Sequence, residues 1–323
     1  MNGRLCDASI AGRVVGGNVA RLAAEGEFRI PRLAVALYAR DNREGAMGYK
    51  TILVHCDAGR GTAARLKVAF DLAQRFDAHV VGLHVRQAFQ APAFTDAGPA
   101  MDSLYRTYET VVKADEAMAT AAFREAVGSR GAFSEWRVVD GYVDEILRAE
   151  ARTADLVIVG QAEPDSPPTA TPDDLAENVT MAGECPVLIV PHIGMAKPPG
   201  RTVMLCWNAS REAKRAATGA LPLLEAADKV IVLVIDPKTG ARHQEPGADV
   251  AKWLARHGVK VTVQRDTAAD SDVGGVILSR AADHDVDLIV MGIYGHSRMR
   301  ELVLGGASRT LLASMTAPLL AAH

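Results

Sequence analysis

From Tyr49 onward the chain alternates between short apolar runs and longer stretches in which apolar residues recur every three or four positions. The first apolar run, Thr51–His55, is followed by Thr62–Phe76, where Leu66 and Phe70 fall on one helical face. Near-continuous apolar strands separated by amphipathic helices are typical of a parallel sheet that is covered on both faces. The pattern therefore predicts an α/β fold.

The same periodicities predict the other elements of the first half of the chain. Its further strands are His79–Val85, Phe133–Val139, Asp155–Gly160 and Pro186–Val190, and its further helices are Met101–Val127 and Val143–Arg152. The second half repeats this order. Lys50–Gly59 aligns with Arg201–Ser210, Asp155–Gly160 with Asp287–Gly292, and Pro186–Val190 with Pro318–Ala322. We therefore expect two tandem five-stranded domains, 47–195 and 196–323, joined by a glycine- and proline-containing linker at 194–200.

Residues 1–46 do not share this pattern. They contain seven scattered arginines, and their longest apolar run, Leu33–Ala39, comes too late for a signal peptide. We expect this segment to be a poorly ordered N-terminal extension, or sequence upstream of a true start at Met47.

The amino-acid composition excludes several classes of protein. Apolar residues make up 49% of the chain and charged residues 23%, as in a folded globular protein. With 36 basic and 39 acidic residues, the chain lacks the basic excess of a dedicated nucleic-acid binder. It also lacks an apolar run long enough to span a membrane. The four cysteines fall in no metal-ligand spacing, which favours buried, reduced thiols in a cytoplasmic protein.

A glycine-rich segment carries the candidate chemistry. It runs from Met291 to Ser308 and begins where the predicted strand Asp287–Met291 ends. Gly292 and Gly295 would let the backbone approach a ligand, and a helix beginning at Gly305 and Gly306 would offer free N–H groups to an anion. Auxiliary partners would be Arg298, Arg300 and the Ser308 hydroxyl. The spacing fits a polyphosphate, although glycines at strand ends also occur in turns that bind nothing.

The spacing Gly292-x2-Gly295-x9-Gly305 resembles the G-x2-G-x9-G-(S/T) signature of the universal stress protein family. The segment W-N-A-S-R-E-A that opens the second half also resembles the region after that family's first strand. The resemblance covers nearly all of residues 49–323, in two copies. It implies a sheet of strand order 3-2-1-4-5 in each copy, with ATP, with or without Mg²⁺, between the first and fourth strands. It also implies that two copies pair through their fifth strands, here within one chain as a pseudo-dimer.

The resemblance assigns binding roles in the second half. Asn208 would contact the nucleoside, and the backbone of Val234 would face adenine. The phosphate loop would comprise Met291, Gly292, Gly295, Gly305 and Gly306, with Arg298 and Ser308 as auxiliary partners. The chain departs from the signature at Gly306, where the family has Ser or Thr, so one hydroxyl contact is lost.

The first copy lacks these glycines. Gly292 corresponds to Gly160, but the counterparts of Gly295, Gly305 and Gly306 are Glu163, Asp173 and Asp174. Acidic residues at a helix start bind its N–H groups and repel phosphate. We therefore expect one adenine nucleotide per chain.

Catalytic motifs are missing from the sequence. There is no P-loop, zinc-protease or nucleophile-elbow motif, so we expect no catalytic residues and at most a weak ATPase. Two hypotheses remain open. The chain is a cytoplasmic stress-response protein that binds ATP or a related nucleotide and signals through an unidentified protein partner, as a pseudo-dimer or a homodimer of such chains. Alternatively, it is a ligand-free interaction scaffold.

Overall fold

Within the residues that the structure describes, the apolar runs form ten strands of a single sheet. The computed structural model describes residues 48–89, 99–128, 133–163, 171–195, 197–236, 245–268, 272–293 and 306–323. The predicted N-terminal extension and residues 294–305 of the glycine-rich segment, which include Gly295, Arg298, Arg300 and Gly305, lie outside these ranges. The strands are β1 (Thr51–His55), β2 (His79–Gln87), β3 (Ser134–Gly141), β4 (Leu156–Gly160), β5 (Val187–Val190), β6 (Thr202–Cys206), β7 (Lys229–Ile235), β8 (Val261–Asp266), β9 (Leu288–Gly292) and β10 (Leu319–Ala322).

Helices connect the strands. They are α1 (Thr62–Phe76), α2 (Pro99–Gly128), α3 (Val143–Ala151), α4 (Leu175–Ala182), α5 (Arg211–Gly219), α6 (Leu221–Glu225), α7 (Ala248–Arg256), α8 (Val273–Asp283) and α9 (Gly306–Ser314). The first strand and the first helix begin and end where the sequence predicts. Other elements differ at their ends. For example, β2 continues past its last apolar residue, Val85, because its ladder with β3 extends to the pair Gln87 and Gly141.

The strand order confirms the predicted α/β class. The strand order in the sheet is β3-β2-β1-β4-β5-β10-β9-β6-β7-β8. Each half therefore has the order 3-2-1-4-5, and the second half appears in the reverse direction. All pairs within each half are parallel. The tandem architecture that the repeat predicts is therefore present.

Each face of the sheet carries one continuous apolar core. On one face, buried side chains of α1, α2, α5, α6 and α7 pack on the strands, among them Phe70, Phe123 and Leu224. On the other face the helices are α3, α4, α8 and α9, with Leu147 and Leu311 in the core. Because helices cover both faces, the central strands can be apolar throughout.

The two halves join through β5 and β10, as the sequence predicts. These strands are antiparallel, and Leu188 lies opposite Leu320 at the centre of the pair. Both side chains are fully buried. An apolar edge strand left open invites pairing with another chain, and here each half supplies the partner strand for the other. The pairing makes one sheet out of two.

Further contacts between the halves lie beside this seam. The hydroxyl of Tyr49, which precedes β1, donates to the backbone carbonyl of Gly219 at the end of α5, over 2.7 Å. Within the first half, Phe76 holds the Tyr49 ring by an edge-to-face contact, with 5.3 Å between ring centroids. The chain passes from β5 to β6 through Gly200, whose φ of 95° lies in the left-handed region that favours glycine.

Replacing Tyr49 with Phe tests the hydrogen bond between the halves. Tyr49 is 3% exposed and its hydrogen bond is part-buried, so Tyr49→Phe leaves the Gly219 carbonyl without this donor while it keeps the ring packing. We expect the free energy of unfolding to fall by about 1–2 kcal/mol, measured by urea denaturation. Tyr142→Phe is the control, because Tyr142 is 45% exposed and its change should stay within about 0.5 kcal/mol. Equal effects of the two substitutions would contradict this role of Tyr49.

Candidate functional site

The carboxyl ends of three neighbouring strands meet at one edge of the second half. Cys206, the last residue of β6, pairs with Leu233 of β7 on one side and with Met291 of β9 on the other. The chain continues from β6 to β7, whereas β9 and β10 lie on the opposite side of β6. The strand order thus reverses at this point, and open α/β sheets bind ligands at such a crevice.

A tight turn holds Asn208 at this edge. The side-chain oxygen of Asn208 accepts a hydrogen bond from the backbone N–H of Ser210 over 3.0 Å. Between them, Ala209 has a left-handed φ of 59°. The Ser210 hydroxyl oxygen in turn accepts from the N–H of Ala213 over 3.1 Å and caps the start of α5. Asn208 is exposed, so a ligand in the crevice can reach its side chain.

Val234 and Met291 flank β6 at the same level. Val234 follows Leu233, whose carbonyl accepts from the N–H of Trp207 over 2.8 Å. Both side chains are buried, Val234 at 5% and Met291 at 7% exposure. Val234 packs in the core on one face of the sheet and Met291 in the core on the other, so the structure places these two residues beside the Asn208 turn with their side chains inside the protein.

The close approach at Gly292 is made by the protein itself. A Cβ atom on Gly292 would collide with the backbone of Glu212 and Ala213 in the first turn of α5. The sequence interpretation gave this space to a ligand. The structure fills it with the N-terminus of α5, so the need for glycine at this position follows from packing.

Helix α9 begins at the same edge of the sheet, because it connects the ends of the parallel strands β9 and β10. Its first residue, Gly306, is exposed, and a Cβ atom there would meet no atom of the described residues within 4 Å. Ser308 is only 4% exposed. The described residues thus leave space beside Gly306, whereas the burial of Ser308 favours a packing role for its side chain.

The corresponding crevice of the first half is filled by an ion pair. Arg65, in the first turn of α1, is 3% exposed. Its guanidinium donates to the Asp57 carboxylate over 2.5 Å and to the carbonyl of His55 over 2.9 Å. A Cβ atom on Gly160 would collide with the same guanidinium. Arg65 therefore occupies the space between the carboxyl ends of β1 and β4.

Other side chains complete this filling. Thr62 and Thr171 donate their hydroxyls to the Asp57 carboxylate. Glu163, the counterpart of Gly295, accepts from the backbone N–H of Gly61 at the start of α1 over 2.9 Å. Asp174 stands at the N-cap of α4, but its side chain makes no capping hydrogen bond. The acid that binds helix N–H groups is thus Glu163, whereas the sequence interpretation gave that role to Asp173 and Asp174.

Burial and charge fix the protonation states of this cluster. Burial would raise the pKa of Asp57, but Arg65, His55 and the threonine hydroxyls outweigh it and hold that pKa well below its usual range. Burial lowers the pKa of His55 to about 4, against the opposing effect of Asp57. The cluster therefore contains a charged Asp57–Arg65 pair beside a neutral His55 at neutral pH.

The sequence alone did not identify Arg65 as a residue of the site. It shares the buried face of α1 with Ala69 and Ala73, and its counterpart in the second half is Ala216. A charged residue at an apolar helix position requires a buried partner of opposite charge. That conflict of pattern and charge was the signal that could have identified the filled crevice.

The repeat agrees with a family comparison. The universal stress protein family matches residues 48–191 and, separately, residues 200–323. The chain belongs to this family. Membership places it among proteins of the stress response, with two copies of the family unit in tandem.

Solved structures of universal stress proteins share the fold. One from Archaeoglobus fulgidus DSM 4304 is 15% identical, with a TM-score of 0.61 over 84% of this chain and 95% of its own. A protein from Pseudomonas aeruginosa UCBPP-PA14, provisionally assigned to the family, is 18% identical, with a TM-score of 0.53 over 85% of this chain and 93% of its own. No curated protein matches the chain in sequence.

The three cysteine thiols that the structure describes are poor nucleophiles. Burial raises the pKa of Cys56, Cys185 and Cys206 to about 12, so they stay protonated at neutral pH. Among the described residues, no cluster of His, Cys, Asp and Glu could hold a metal ion. In the same part of the chain, no helix combines the length and apolar character that crossing a bilayer requires.

The buried His55 makes stability depend on pH. Its pKa is about 4 in the folded state and 6.5 when exposed, so the unfolded chain binds more protons between these values. Stability is therefore lost as pH falls from 6.5 to 4, and His55 contributes about 3 kcal/mol of this loss.

The variant His55→Cys isolates this contribution, since Cys206 stands at the same place in the second half. Urea denaturation of both proteins at pH 7 and pH 4.5 should show a smaller loss of stability in the variant. Parallel losses would mean that His55 does not titrate as a buried neutral group.

Proposed function

We propose that this universal stress protein binds ATP or a related adenine nucleotide in its second half and acts as a cytoplasmic, nucleotide-responsive regulator. The observation that carries the proposal is the difference between the two crevices. Arg65 and Asp57 fill the first, whereas the second has an exposed Asn208 and an α9 that starts at an exposed Gly306. A binding function selected in one half accounts for this asymmetry.

The proposed position of the nucleotide follows from the groups at the carboxyl ends of the strands of the second half. The phosphates lie at the N-terminus of α9, where free N–H groups and the positive end of the helix dipole favour an anion. Gly295, Gly305 and Arg298 belong to this phosphate site by their place in the family signature. The nucleoside lies between Asn208 and Val234, near Met291. Mg²⁺, where present, is held by the nucleotide phosphates.

Signalling of this kind does not require the protein to hydrolyse ATP efficiently. A nucleotide that binds one state more tightly than another shifts the population toward that state, which a protein partner can then recognise. We expect any hydrolysis to be slow, because the sequence contains none of the catalytic motifs considered above.

A ligand-free scaffold is the second candidate, and Gly292 favours it. The packing of α5 explains that glycine without any ligand. Mass spectrometry of small molecules released from the purified, denatured protein separates the two candidates. Co-purified adenine nucleotide supports binding. A protein that neither carries nor takes up nucleotide at millimolar concentration is a scaffold.

Stoichiometry tests the asymmetry directly. Isothermal titration with ATP should give one site per chain, because the ion pair in the first half occupies the space that a nucleotide would need. Two equivalent sites per chain would contradict the assignment of the first crevice as filled.

Substitutions at Gly306 test the phosphate end. A side chain fits there without collision, and an acid at a helix start changes stability by about 1 kcal/mol or less. Gly306→Asp should nonetheless weaken ATP binding at least about tenfold, because two like charges about 4 Å apart repel by about 4 kcal/mol at an effective dielectric of 20.

Gly306→Ser is the matched control, since it restores the hydroxyl of the family signature and adds no charge. It should bind ATP at least as tightly as the native chain. Equal affinities of the Asp and Ser variants, at unchanged melting temperature, would exclude α9 as the phosphate site.

A further inference from the structure

The last turn of α9 is held by a side chain from the first half. Gln161 follows β4 directly and is 6% exposed. Its Nε2 donates to the carbonyl of Leu312 over 2.8 Å and to that of Ala313 over 3.3 Å. The final carbonyls of a helix have no partner within the helix. Gln161 therefore caps a helix that belongs to the other half of the chain.

A second residue fixes the orientation of this amide. Gln161 Oε1 accepts from the backbone N–H of His192 over 3.1 Å and lies 2.9 Å from the Nδ1 of the same residue. An amide oxygen can only accept, so Nδ1 carries the proton. With Oε1 committed to His192, the NH₂ group of Gln161 must face the carbonyls of α9. The cap is thus a fixed clamp between the loops that follow β4 and β5.

The clamp exists in one direction. The counterpart of Gln161 in the second half is Ile293, which is fully buried and whose side chain cannot donate a hydrogen bond. The first half therefore caps a helix of the second half through Gln161, and the counterpart of Gln161 in the second half cannot cap a helix of the first half in the same way. The half that supplies Gln161 is also the half whose crevice is filled by Arg65. The half that receives this contact is the one that keeps the candidate nucleotide site.

Helix α9 is short enough to transmit the position of one end to the other. Its nine residues span about 13 Å. Its middle packs tightly on α8, where a Cβ atom on Gly274 would lie 2.6 Å from the Cβ of Thr310. A shift of its last turn would tilt the helix about this contact and displace its first residue, Gly306.

We propose that Gln161 is a positioning residue for the nucleotide site and that the first half serves to hold α9 in its binding position. This inference rests on the proposed function, because Gly306 matters only if the start of α9 receives phosphate. The filled crevice would then contribute to this role, because Arg65 packs against Gly160 at the end of β4 and so helps to fix the position of the next residue, Gln161. Gln161 acts on the phosphates alone, because the nucleoside contacts lie on β6, β7 and β9.

The variant Gln161→Leu, of similar size and without donors, tests this role. Titrations of the full chain with ATP and with adenosine measure the phosphate and nucleoside parts of binding separately. We expect ATP affinity to fall by about three- to tenfold, with adenosine affinity unchanged. Val143→Ala is the control, because it truncates a buried side chain of α3 in the first half without touching the clamp. It should leave the ratio of ATP to adenosine affinity as in the native chain.

The outcomes separate the two proposals. A native chain that binds neither ligand overturns the proposed function, and the role of Gln161 with it. If the native chain binds ATP but Gln161→Leu keeps the native affinity ratio, or Val143→Ala changes it equally, the positioning role is wrong and nucleotide binding stands. Should Gln161→Leu not fold, Gln161→Met replaces it in the same titrations. Amide hydrogen exchange of residues 306–309 gives a further readout, since the variant should lose the protection that ATP confers there.

Discussion

The antiparallel pairing of β5 with β10 is the constraint on which the rest of this molecule depends. It converts two five-stranded sheets into one, so that the cores on both faces continue across the seam. Because the two strands run in opposite directions, the carboxyl ends of β1 and β4 lie at the edge opposite to those of β6 and β9. The two crevices of the repeat are thus held far apart and can diverge without steric conflict. Contacts such as Tyr49 with Gly219 and Gln161 with α9 exist only because the seam brings each half beside the helices of the other.

The two halves differ in the side chains at the carboxyl ends of their first and fourth strands. In the first half, Arg65, Asp57 and Glu163 form a buried polar cluster there. In the second half, Ala216 stands in place of Arg65, and among the described residues the atoms that approach Gly292 belong to Glu212 and Ala213 of α5. The polar cluster of the first half therefore has no counterpart in the described part of the second half.

The sequence predicts the fold well because the repeat and the apolar runs are local signals. The runs Thr51–His55 and Thr62–Phe76 begin and end as predicted, since the apolar residues that become buried in each are close together in the sequence. The site is less predictable because its contacts join distant parts of the chain. Arg65 reaches Gly160, and Gln161 reaches Leu312, across separations that no periodicity encodes. Gly292 shows the same limit, since its neighbour is α5 and the sequence cannot distinguish a helix from a ligand at that point.

The buried pair of Arg65 and Asp57 also restricts how this chain can change over generations. Loss of either residue alone leaves an unpaired buried charge, at a cost of about 3–5 kcal/mol, against a total stability of about 5–15 kcal/mol for a typical domain. A first half with an open crevice is therefore reached by single substitutions only through a strongly destabilised intermediate. Substitution of Asn208 at the corresponding place in the second half faces no such barrier, because this residue is uncharged and exposed. Evolutionary change is thus easier at this edge of the second half, while the first half is kept as it is by the instability of its nearest mutants.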